Sequence, residues 1–310
     1  MRYLRLLPAL IAASLLAACN SGGGSGLPST TNNAAPDAGS RASAPVAGFS
    51  LIENGTANPS VHIMGTIGSP LYARGAATTR GLLPYNNGLV ETSAKFAVVY
   101  WGSSDPDGMQ TRLNSFVGAV GGSAWLSTTK QYYQIVHGKK THIGNPSGNF
   151  VGSWIDTANA VPQYPTQSQI AGEAARAAQH FGMSGVQFSV VVATEHGHNS
   201  SGFGSSFCAY HGSSGTLVYT NLPYMPDAGA NCGANIINKG STGILDGVTI
   251  VAGHELAEAQ TDPLPPTGWS GNNGEIGDLC AWTNIQNTSF GSQTFPTQPL
   301  YSDAKQACEQ

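Results

Sequence analysis

The sequence predicts an α/β (α+β) protein with a mixed central sheet and flanking helices. Two largely apolar runs, Lys95–Trp101 and residues 186–193, lack polar alternation and are typical of strands buried on both faces. Helical spacing follows the first run at Met109–Val120, after a capping segment at 103–107, and precedes the second over residues 166–181. Strands that alternate with helices in this way indicate an α/β architecture.

The remaining elements predicted by the pattern are short. Further strands are predicted at residues 132–137, 150–155 and 216–220 and around Phe295 and Leu300. Residues 60–92 show little periodicity and contain turn signals, so no regular element is predicted there.

A third predicted helix, over residues 244–260, carries the most chemically informative residues. One stripe of that helix is apolar and consists of Val248, Ala252, Leu256 and Ala259. His254 and Glu258, four positions apart, stack on the opposite side. We therefore expect one face of the helix to pack in the core and the other to carry the chemistry. Pro263 ends the helix, because proline cannot continue it.

The order His254-Glu255-x-x-Glu258 on this helix predicts a metal site. Two ligands at positions i and i+4 can bind one ion, with the intervening glutamate as general base, as in His-Glu-x-x-His zinc hydrolases. Here Glu258 stands in place of the second histidine, so a third ligand would come from Glu275 or Asp278. The alternative is a solvated polar face with His254 as an ordinary hydrogen-bonded residue.

Further candidate site residues lie outside this motif. Asp262 follows the helix near the negative end of its dipole, where a nearby cation is stabilising. His211 is three residues from Cys208, which we expect to hold it rigidly, and it would stabilise an oxyanion or bind the metal. His196 and His198 follow the second buried strand, at the edge where α/β folds place sites. These two would bind metal, orient water or stabilise the oxyanion; the alternative is a polar loop tip.

The N-terminal segment has the features of a bacterial lipoprotein leader. Residues 1–18 carry two arginines and then an apolar stretch too short to span a bilayer, which predicts a cleaved export signal. The junction Leu16-Ala17-Ala18-Cys19 resembles a lipobox, so Cys19 would be lipidated and would anchor the chain to a membrane. Asn20 after it favours the outer membrane. The alternative is an ordinary secretory signal.

The mature chain is predicted to consist of a tether and one domain. Residues 19–45 are rich in Gly, Ser, Ala and Pro and almost lack large apolar side chains, which predicts a flexible segment. Residues 46–310 are within the range of a single large α/β domain.

Composition favours export and argues against a nucleic-acid partner. Charged residues make up 10% of the chain, against roughly 25% in ordinary globular proteins, so the surface must be built from Ser, Thr, Asn and Gln. The formal net charge of -4 offers no basic patch for nucleic acid. We therefore expect a protein of the cell envelope, surface-exposed or released, whose partner is an extracellular protein or polysaccharide.

Four cysteines remain once Cys19 is set aside, an even number in an oxidising compartment. Of the three possible pairings we predict Cys208–Cys232 and Cys280–Cys308, because these close the shorter loops. The alternative, a four-cysteine metal site, lacks any Cys-x-x-Cys pair.

A series of short fragments follows in a set order along roughly residues 85 to 310. They are Val98-Val99-Tyr100-Trp101-Gly102, Cys208-Ala209-Tyr210-His211, Leu222-Pro223-Tyr224 before Cys232, Leu245-Asp246-Gly247, His254-Glu255-Leu256-Ala257-Glu258 with Thr261-Asp262-Pro263, Gly268-Trp269, Glu275-Ile276-Gly277-Asp278-Leu279-Cys280, and the closing Phe295, Gln298, Ser302 and Cys308. In this order and spacing they resemble the EXORDIUM or phosphate-induced protein family of plant secreted proteins and its bacterial relatives.

The resemblance implies that the helix, the loop with Glu275 and Asp278 and the adjacent disulfide form one zincin-like site. Plant members of the family are growth-associated proteins of the apoplast, and bacterial relatives are described as metallopeptidase-like. The lipoprotein leader and the cluster at residues 195–199 depart from the plant pattern.

The leading hypothesis is an exported, lipid-anchored zinc metallohydrolase, in particular a peptidase. Glu255 would be the general base, and His254, Glu258 and either Glu275 or Asp278 would bind zinc. Because this ligand set is rich in oxygen, calcium or manganese is the alternative ion, which would then be structural.

The rival hypothesis is a non-catalytic cell-surface binding protein in which a metal or an acid network clamps the loop to the helix. Three aromatic residues, Trp269, Trp282 and Tyr224, would then stack on sugars, unless they pack in the core. A serine-nucleophile hydrolase is disfavoured, because the sequence lacks a Gly-x-Ser-x-Gly elbow.

Overall fold

The computed structural model describes residues 61–69 and 81–310, and within these ranges the centre is a six-stranded mixed sheet. Its strands in chain order are β1 (Val61–Gly65), β2 (Lys95–Trp101), β5 (Phe150–Asp156), β6 (Phe188–Thr194), β7 (Phe207–Ser214) and β8 (Leu217–Leu222). Three hairpins complete the described strands: β3 (Tyr133–Val136) with β4 (Lys139–His142), β9 (Gln286–Phe290) with β10 (Gln293–Thr297), and β11 (Leu300–Ser302) with β12 (Ala307–Glu309). The α/β prediction with a mixed central sheet is confirmed.

The order of strands across the sheet is β1-β7-β8-β6-β2-β5. From β8 to β5 neighbouring strands are parallel, whereas β7 is antiparallel to both β8 and β1. The central strands β2 and β6 are almost wholly buried, as their apolar sequences predict. The antiparallel half of the sheet carries the candidate site.

Helices cover both faces of the sheet. The described α-helices are α1 (Met109–Val120), α2 (Gln167–Phe181), the short α3 (Gly240–Gly243) and α4 (Asp246–Thr261). Alternate residues of β2 point to opposite faces: Val99 packs in the cluster that contains the Ala-rich face of α2, while Val98 packs with α1 and α4. The result is a three-layer arrangement around two apolar cores.

Local signals account for where α1 and α2 begin and end. The N-cap of α1 is Gly108, which corrects the N-cap predicted within residues 103–107. The Asp105 carboxylate of that segment still accepts hydrogen bonds from the backbone N–H groups of Met109 (2.7 Å) and Gln110 (3.1 Å). Thr166 forms a capping box at the start of α2. Gly182 ends that helix in the left-handed conformation, with φ 63°.

α4 lies in the interior, and this corrects the prediction of a single core face. All 16 of its residues are buried, because the sheet packs on one side while α1 and the β9–β10 hairpin pack on others. Small residues allow this close packing: a Cβ at Gly253 would lie 3.1 Å from the Phe116 and Trp125 rings. The side of α4 that carries His254 and Glu258 is therefore buried as deeply as its apolar stripe.

The chain before α1 contains an unpredicted strand, and the four cysteines of the domain form the two predicted disulfides. Regular structure at 61–65 was not predicted, yet these residues form strand β1. The predicted disulfides Cys208–Cys232 and Cys280–Cys308 are both present. The predicted signal at 1–18, the lipidation site Cys19 and the tether lie outside the described residues. Within the described ranges, no helix has the length and apolar character needed to cross a bilayer.

Candidate metal centre

Histidine and carboxylate side chains from three parts of the fold meet between the sheet and α4. We call this group the His/carboxylate cluster; it consists of His62, His211, His254, Glu255, Glu258, Asp262, Glu275 and Asp278. Six of the eight come from α4 and the loop after it, the region in which the sequence predicted a metal site. The other two regions that contribute are strands β1 and β7.

The two strands place two histidines side by side. His62 of β1 is paired with His211 of β7 in the antiparallel register, so both side chains lie on the same face of the sheet. Their ring centroids are 5.9 Å apart. His211 is fully buried and lies three residues from Cys208 of the Cys208–Cys232 disulfide. His62 was not predicted as a site residue.

α4 supplies three members of the cluster with the spacing that the sequence predicted. His254 Nε2 lies 3.1 Å from Glu258 Oε1, as expected for an i,i+4 pair. Glu255 points to the sheet, where its Oε2 lies 3.2 Å from Nδ1 of His211. Glu258 Oε2 lies 3.6 Å from the same Nδ1. The helix therefore contacts the β7 histidine through two carboxylates.

The loop after α4 is held against the helix by Glu258. Backbone N–H groups of Gly277 and Asp278 each donate a hydrogen bond of 3.1 Å to Glu258 Oε1. A Cβ at Gly277 would lie 2.7 Å from His254 Nδ1 and 2.9 Å from Glu258 Oε1, so only glycine allows this approach. Gln298 fixes the loop from behind by donating a 2.8 Å hydrogen bond to the Gly277 carbonyl.

The loop brings Glu275 and Asp278 into contact with the histidines. Asp278 Oδ1 lies 3.5 Å from His254 Nε2, while its Oδ2 contacts Nε2 of His62. Glu275 Oε1 lies 3.2 Å from His62 Nδ1, and its Oε2 lies 3.7 Å from His211 Nε2. Both predicted candidates for the third ligand are thus in the cluster.

The cluster is buried except at His62. In the described structure the His62 side chain is 23% exposed and that of Asp278 6%, whereas His211, His254 and Glu275 are fully buried. Within the described residues, several buried polar atoms here have no hydrogen-bond partner: His254 Nε2, Glu255 Oε1, Glu258 Oε2, both carboxylate oxygens of Glu275 and Asp278 Oδ1. Buried groups of this kind are costly without a partner. A cation among them would provide one.

Neighbouring charges and burial move the histidine pKa values in opposite directions. Burial acts to lower the pKa of His62, but the carboxylates of Asp278 and Glu258 outweigh it and raise that pKa to about 9. Against burial, Glu258 and Asp278 likewise raise the pKa of His254 well above its usual value. Burial dominates at His211 and lowers its pKa to about 4. His211 is therefore neutral at neutral pH, the form that binds metal.

The carboxyl groups are shifted mainly by burial. Burial raises the pKa of Glu255 to about 8 and raises the pKa of Glu275 well above its usual range. Asp278 is the exception: burial acts to raise its pKa, but His62 and His254 outweigh that effect and lower it. A cation beside these groups would favour their ionised forms, so metal binding and proton release are coupled here.

Among the described residues, two groups of side chains could hold a metal ion. His62, Glu258 and Asp278 form one, and His211, Glu258 and Glu275 form the other; within each group the ligand atoms lie within 4.8 Å of one another. Both contain Glu258. His254 belongs to neither group but adjoins the first through its contacts with Glu258 and Asp278. The unpartnered carboxylate oxygens and the mixture of imidazole and carboxylate donors fit a divalent cation.

Two predicted candidates, His196 and His198, have contacts outside this cluster. His196 Nδ1 lies 2.6 Å from an oxygen of Asp227, and His198 Nδ1 lies 3.1 Å from the carbonyl of Pro162. Glu195, which precedes them, accepts hydrogen bonds from two backbone N–H groups at residues 103 and 104. These contacts organise the loops at the end of β6.

Asp262 takes part in the cluster through its backbone as well as its side chain. Its carbonyl oxygen lies 3.2 Å from His211 Nε2, and its carboxylate accepts a 2.8 Å hydrogen bond from the Gly268 N–H. Burial raises the pKa of the Asp262 carboxyl group. Asp262 therefore contacts His211 from the C-terminal end of α4. This is the end of the helix at which the dipole was predicted to favour a nearby positive charge.

The three aromatic residues considered for sugar stacking are packed against the protein. Tyr224 and Trp269 are buried, with 2% and 7% of their surfaces exposed. Trp282 is half-buried, and its indole N–H donates a 2.9 Å hydrogen bond to the Gly65 carbonyl. The packing alternative holds for Tyr224 and Trp269.

Comparison of the chain with protein-family models, with curated proteins and with solved structures finds no match in any of the three. The resemblance to the EXORDIUM family therefore stays a prediction from the motifs.

Proposed function

We propose that this chain is an exported metal-dependent hydrolase that cleaves peptide bonds. The observation that supports it is a set of buried potential metal-ligand atoms around Glu258 that form no well-aligned hydrogen bond within the described residues. A second glutamate, Glu255, lies beside them on the same helix. A purely structural acid network would be expected to satisfy its own buried polar atoms.

The donor set favours zinc or manganese over calcium. Calcium takes six to eight oxygen ligands, whereas imidazole nitrogen suits zinc and other transition metals. His62 and His254 both contact carboxylates that would bind the same ion, namely Glu258 and Asp278. We therefore assign these four residues to the proposed ion.

The residues around that ion suit general base catalysis. A bound divalent ion would polarise a carbonyl group and make water more acidic. Glu255 would accept the proton at Oε1, the oxygen that forms no well-aligned hydrogen bond within the described residues. Its other oxygen faces His211 Nδ1, and that contact fixes the direction of the carboxylate. His211 is in turn held by the Asp262 carbonyl.

Substrate would approach from the side of His62, where the described cluster is partly exposed. Because the N-terminal residues predict an export signal and a lipid-anchored Cys19, the proposed substrates are extracellular proteins or peptides at the cell envelope.

The test pairs metal content with hydrolysis. Full-length protein purified without chelator should contain zinc or manganese and cleave a mixed peptide library. The Glu255→Gln variant should keep the metal, and its turnover should fall at least about 100-fold, as expected for loss of a general base. Glu309→Gln, which removes a charge from a partly exposed site on β12, is the matched control and should cleave like wild type. Equal turnover by Glu255→Gln and wild type would refute this mechanism.

One observation favours a second candidate, a binding protein with a structural ion. The metal-ligand atoms lie deep in the described structure, and His62 alone among the three histidines has substantial exposure. Structural ions are commonly enclosed in this way, whereas catalytic ions keep an open position. Bound metal in a protein that cleaves none of the peptides would favour this candidate.

A further inference from the structure

We propose that the His/carboxylate cluster is built for two divalent ions that share the Glu258 carboxylate as a bridge. The proposal deepens the metal-dependent function proposed above and uses the same cluster. One ion would be held by His62, Asp278 and Glu258, with His254 adjoining; the other would be held by His211, Glu275 and Glu258.

The first argument is that the ligands divide into two sets. The two groups whose donor atoms lie within 4.8 Å of one another have Glu258 in common and no other member. Each group contains one histidine and one carboxylate of its own. A single ion would use one group and leave the other group's buried imidazole and carboxylate without it.

The second argument is the orientation of Glu258. Its Oε1 faces His254 Nε2 at 3.1 Å, on the side of the loop whose Gly277 and Asp278 N–H groups donate hydrogen bonds to it. Its Oε2 faces His211 Nδ1 at 3.6 Å, on the side of β7, and has no hydrogen-bond partner within the described ranges. A carboxylate whose two oxygens face two ligand sets is suited to bridge two ions, which in known two-ion sites lie roughly 3.5–4 Å apart.

The third argument is that both sides contain buried polar atoms that form no well-aligned hydrogen bond within the described residues. Around the second group these are both oxygens of Glu275 and Glu258 Oε2, in residues buried to at least nine-tenths. Around the first they are His254 Nε2 and Asp278 Oδ1, which lie 3.5 Å from each other. The two carboxylate oxygens of Glu275 lie 3.2 Å from His62 Nδ1 and 3.7 Å from His211 Nε2. A single ion in the first group would leave these Glu275 oxygens as they are.

The fourth argument is charge. Five carboxyl groups of the cluster, those of Glu255, Glu258, Asp262, Glu275 and Asp278, are buried together. If metal binding ionises all five carboxyl groups and leaves the imidazoles neutral, one divalent ion would compensate two of the five negative charges and two ions would compensate four. Buried charges without compensation are strongly unfavourable. Two ions also fit a peptidase, because aminopeptidases are among the hydrolases that use paired metals.

The test is the number of ions per chain. Full-length protein stripped with chelator, freed of it and saturated with Zn²⁺ should bind about two ions per chain by elemental analysis. His62→Ala and His211→Ala should each bind about one, and Glu258→Gln fewer than one. His142→Ala, an exposed histidine of β4, is the control and should bind as many ions as wild type. Circular dichroism spectra would confirm that each variant is folded.

A second measurement needs no variant. Wild type loaded with Mn²⁺ should give the electron paramagnetic resonance spectrum of a spin-coupled pair, because a bridging carboxylate couples neighbouring ions. One ion per wild-type chain at saturation, or two uncoupled Mn²⁺ signals, would overturn the bridged pair. If the protein binds one ion and cleaves peptides, the ion pair is rejected and the hydrolase proposal stands. If it binds two coupled ions and cleaves no peptide, the ion pair is supported and the hydrolase proposal is rejected. If it binds no ion, both proposals are rejected.

Discussion

Replacement of Gly277 by alanine is the sharpest test of how the loop after α4 closes on the helix. The added Cβ would lie 2.7 Å from His254 Nδ1 and 2.9 Å from Glu258 Oε1, where ordinary contacts begin at 3.4 Å. The loop or the two side chains would therefore have to move by about 0.5–0.7 Å. The φ of Gly277, −80°, suits any residue, so the effect comes from the contact and not from backbone strain.

The loop cannot move outward without losing hydrogen bonds. Gly277 and Asp278 both donate to Glu258 Oε1, and Gln298 holds the Gly277 carbonyl at 2.8 Å. Overpacking of a core costs about 1–3 kcal/mol, and a hydrogen bond to a charged group contributes about 1.5–3 kcal/mol. We therefore expect Gly277→Ala to reduce the free energy of unfolding by roughly 3 kcal/mol and to weaken metal binding, since it displaces two members of the cluster.

The assay is guanidinium unfolding followed by tryptophan fluorescence, with metal content measured on the same samples. Gly172→Ala is the matched control: Gly172 lies inside α2, and a Cβ there meets no atom within 4 Å. Alanine at that helical position should stabilise the protein by about 0.5–1 kcal/mol. If Gly277→Ala unfolds at the same denaturant concentration as wild type and binds the same amount of metal, the close approach of loop and helix is wrong.

Two further predictions concern stability away from the metal ligands. Burial raises the pKa of Glu91 well above its usual value of 4.5, and one of its carboxylate oxygens lacks a hydrogen-bond partner among the described residues. The folded protein thus binds this proton more tightly than the unfolded chain does. The stability that Glu91 contributes is therefore full below the unfolded pKa of 4.5 and is lost as the pH rises through the folded pKa. Urea unfolding between pH 4 and pH 8 should therefore show a smaller loss for Glu91→Gln than for wild type, and parallel curves would contradict this. Loss of the Cys280–Cys308 disulfide, whose cysteines are 28 residues apart, should lower the free energy of unfolding by about 3.6 kcal/mol on the chain-entropy model. Thermal unfolding of the double variant Cys280→Ala/Cys308→Ala measures this loss. A loss below about 1 kcal/mol would contradict the prediction.

Local sequence signals were enough to predict several elements closely. Met109–Val120 was predicted with the bounds that the structure has, because an apolar stripe and a preceding Asp105 act within a few residues of each other. The same holds for α2, which a capping box starts and Gly182 ends. The disulfide pairs followed from loop length.

Burial on both sides of α4 could not be predicted in this way. An apolar stripe indicates one core face, and the residues between its members include His254, Glu255 and Glu258, which in most helices are solvated. The structure buries them because β7 and the loop at Glu275 cover that side. The hydrophobic period cannot reveal a second covering layer, since what covers the polar side lies elsewhere in the chain.

His62 was missed for a related reason. It lies in a five-residue strand within a stretch that shows little periodicity, and it reaches the cluster only because β1 pairs with β7, with His62 opposite His211. Contacts between residues 216 positions apart, such as His62 with Asp278, depend on sheet topology and leave no local signal. The one local signal for this strand was His62 between the β-branched residues Val61 and Ile63, in a run that ends at Gly65.

The position of His62 links the candidate metal centre to the assembly of the sheet. In the described structure β1 is an edge strand that pairs with β7 alone, and strands of this kind gain less from pairing than central ones. If an ion binds His62 together with Glu258 and Asp278, it ties this edge strand to α4 and to the loop that the Cys280–Cys308 disulfide closes. Because linkage is reciprocal, whatever the ion contributes to holding β1 in place, the docked strand contributes equally to metal affinity. A metal ion at this site would therefore stabilise the docking of β1 in addition to any role in the proposed hydrolysis.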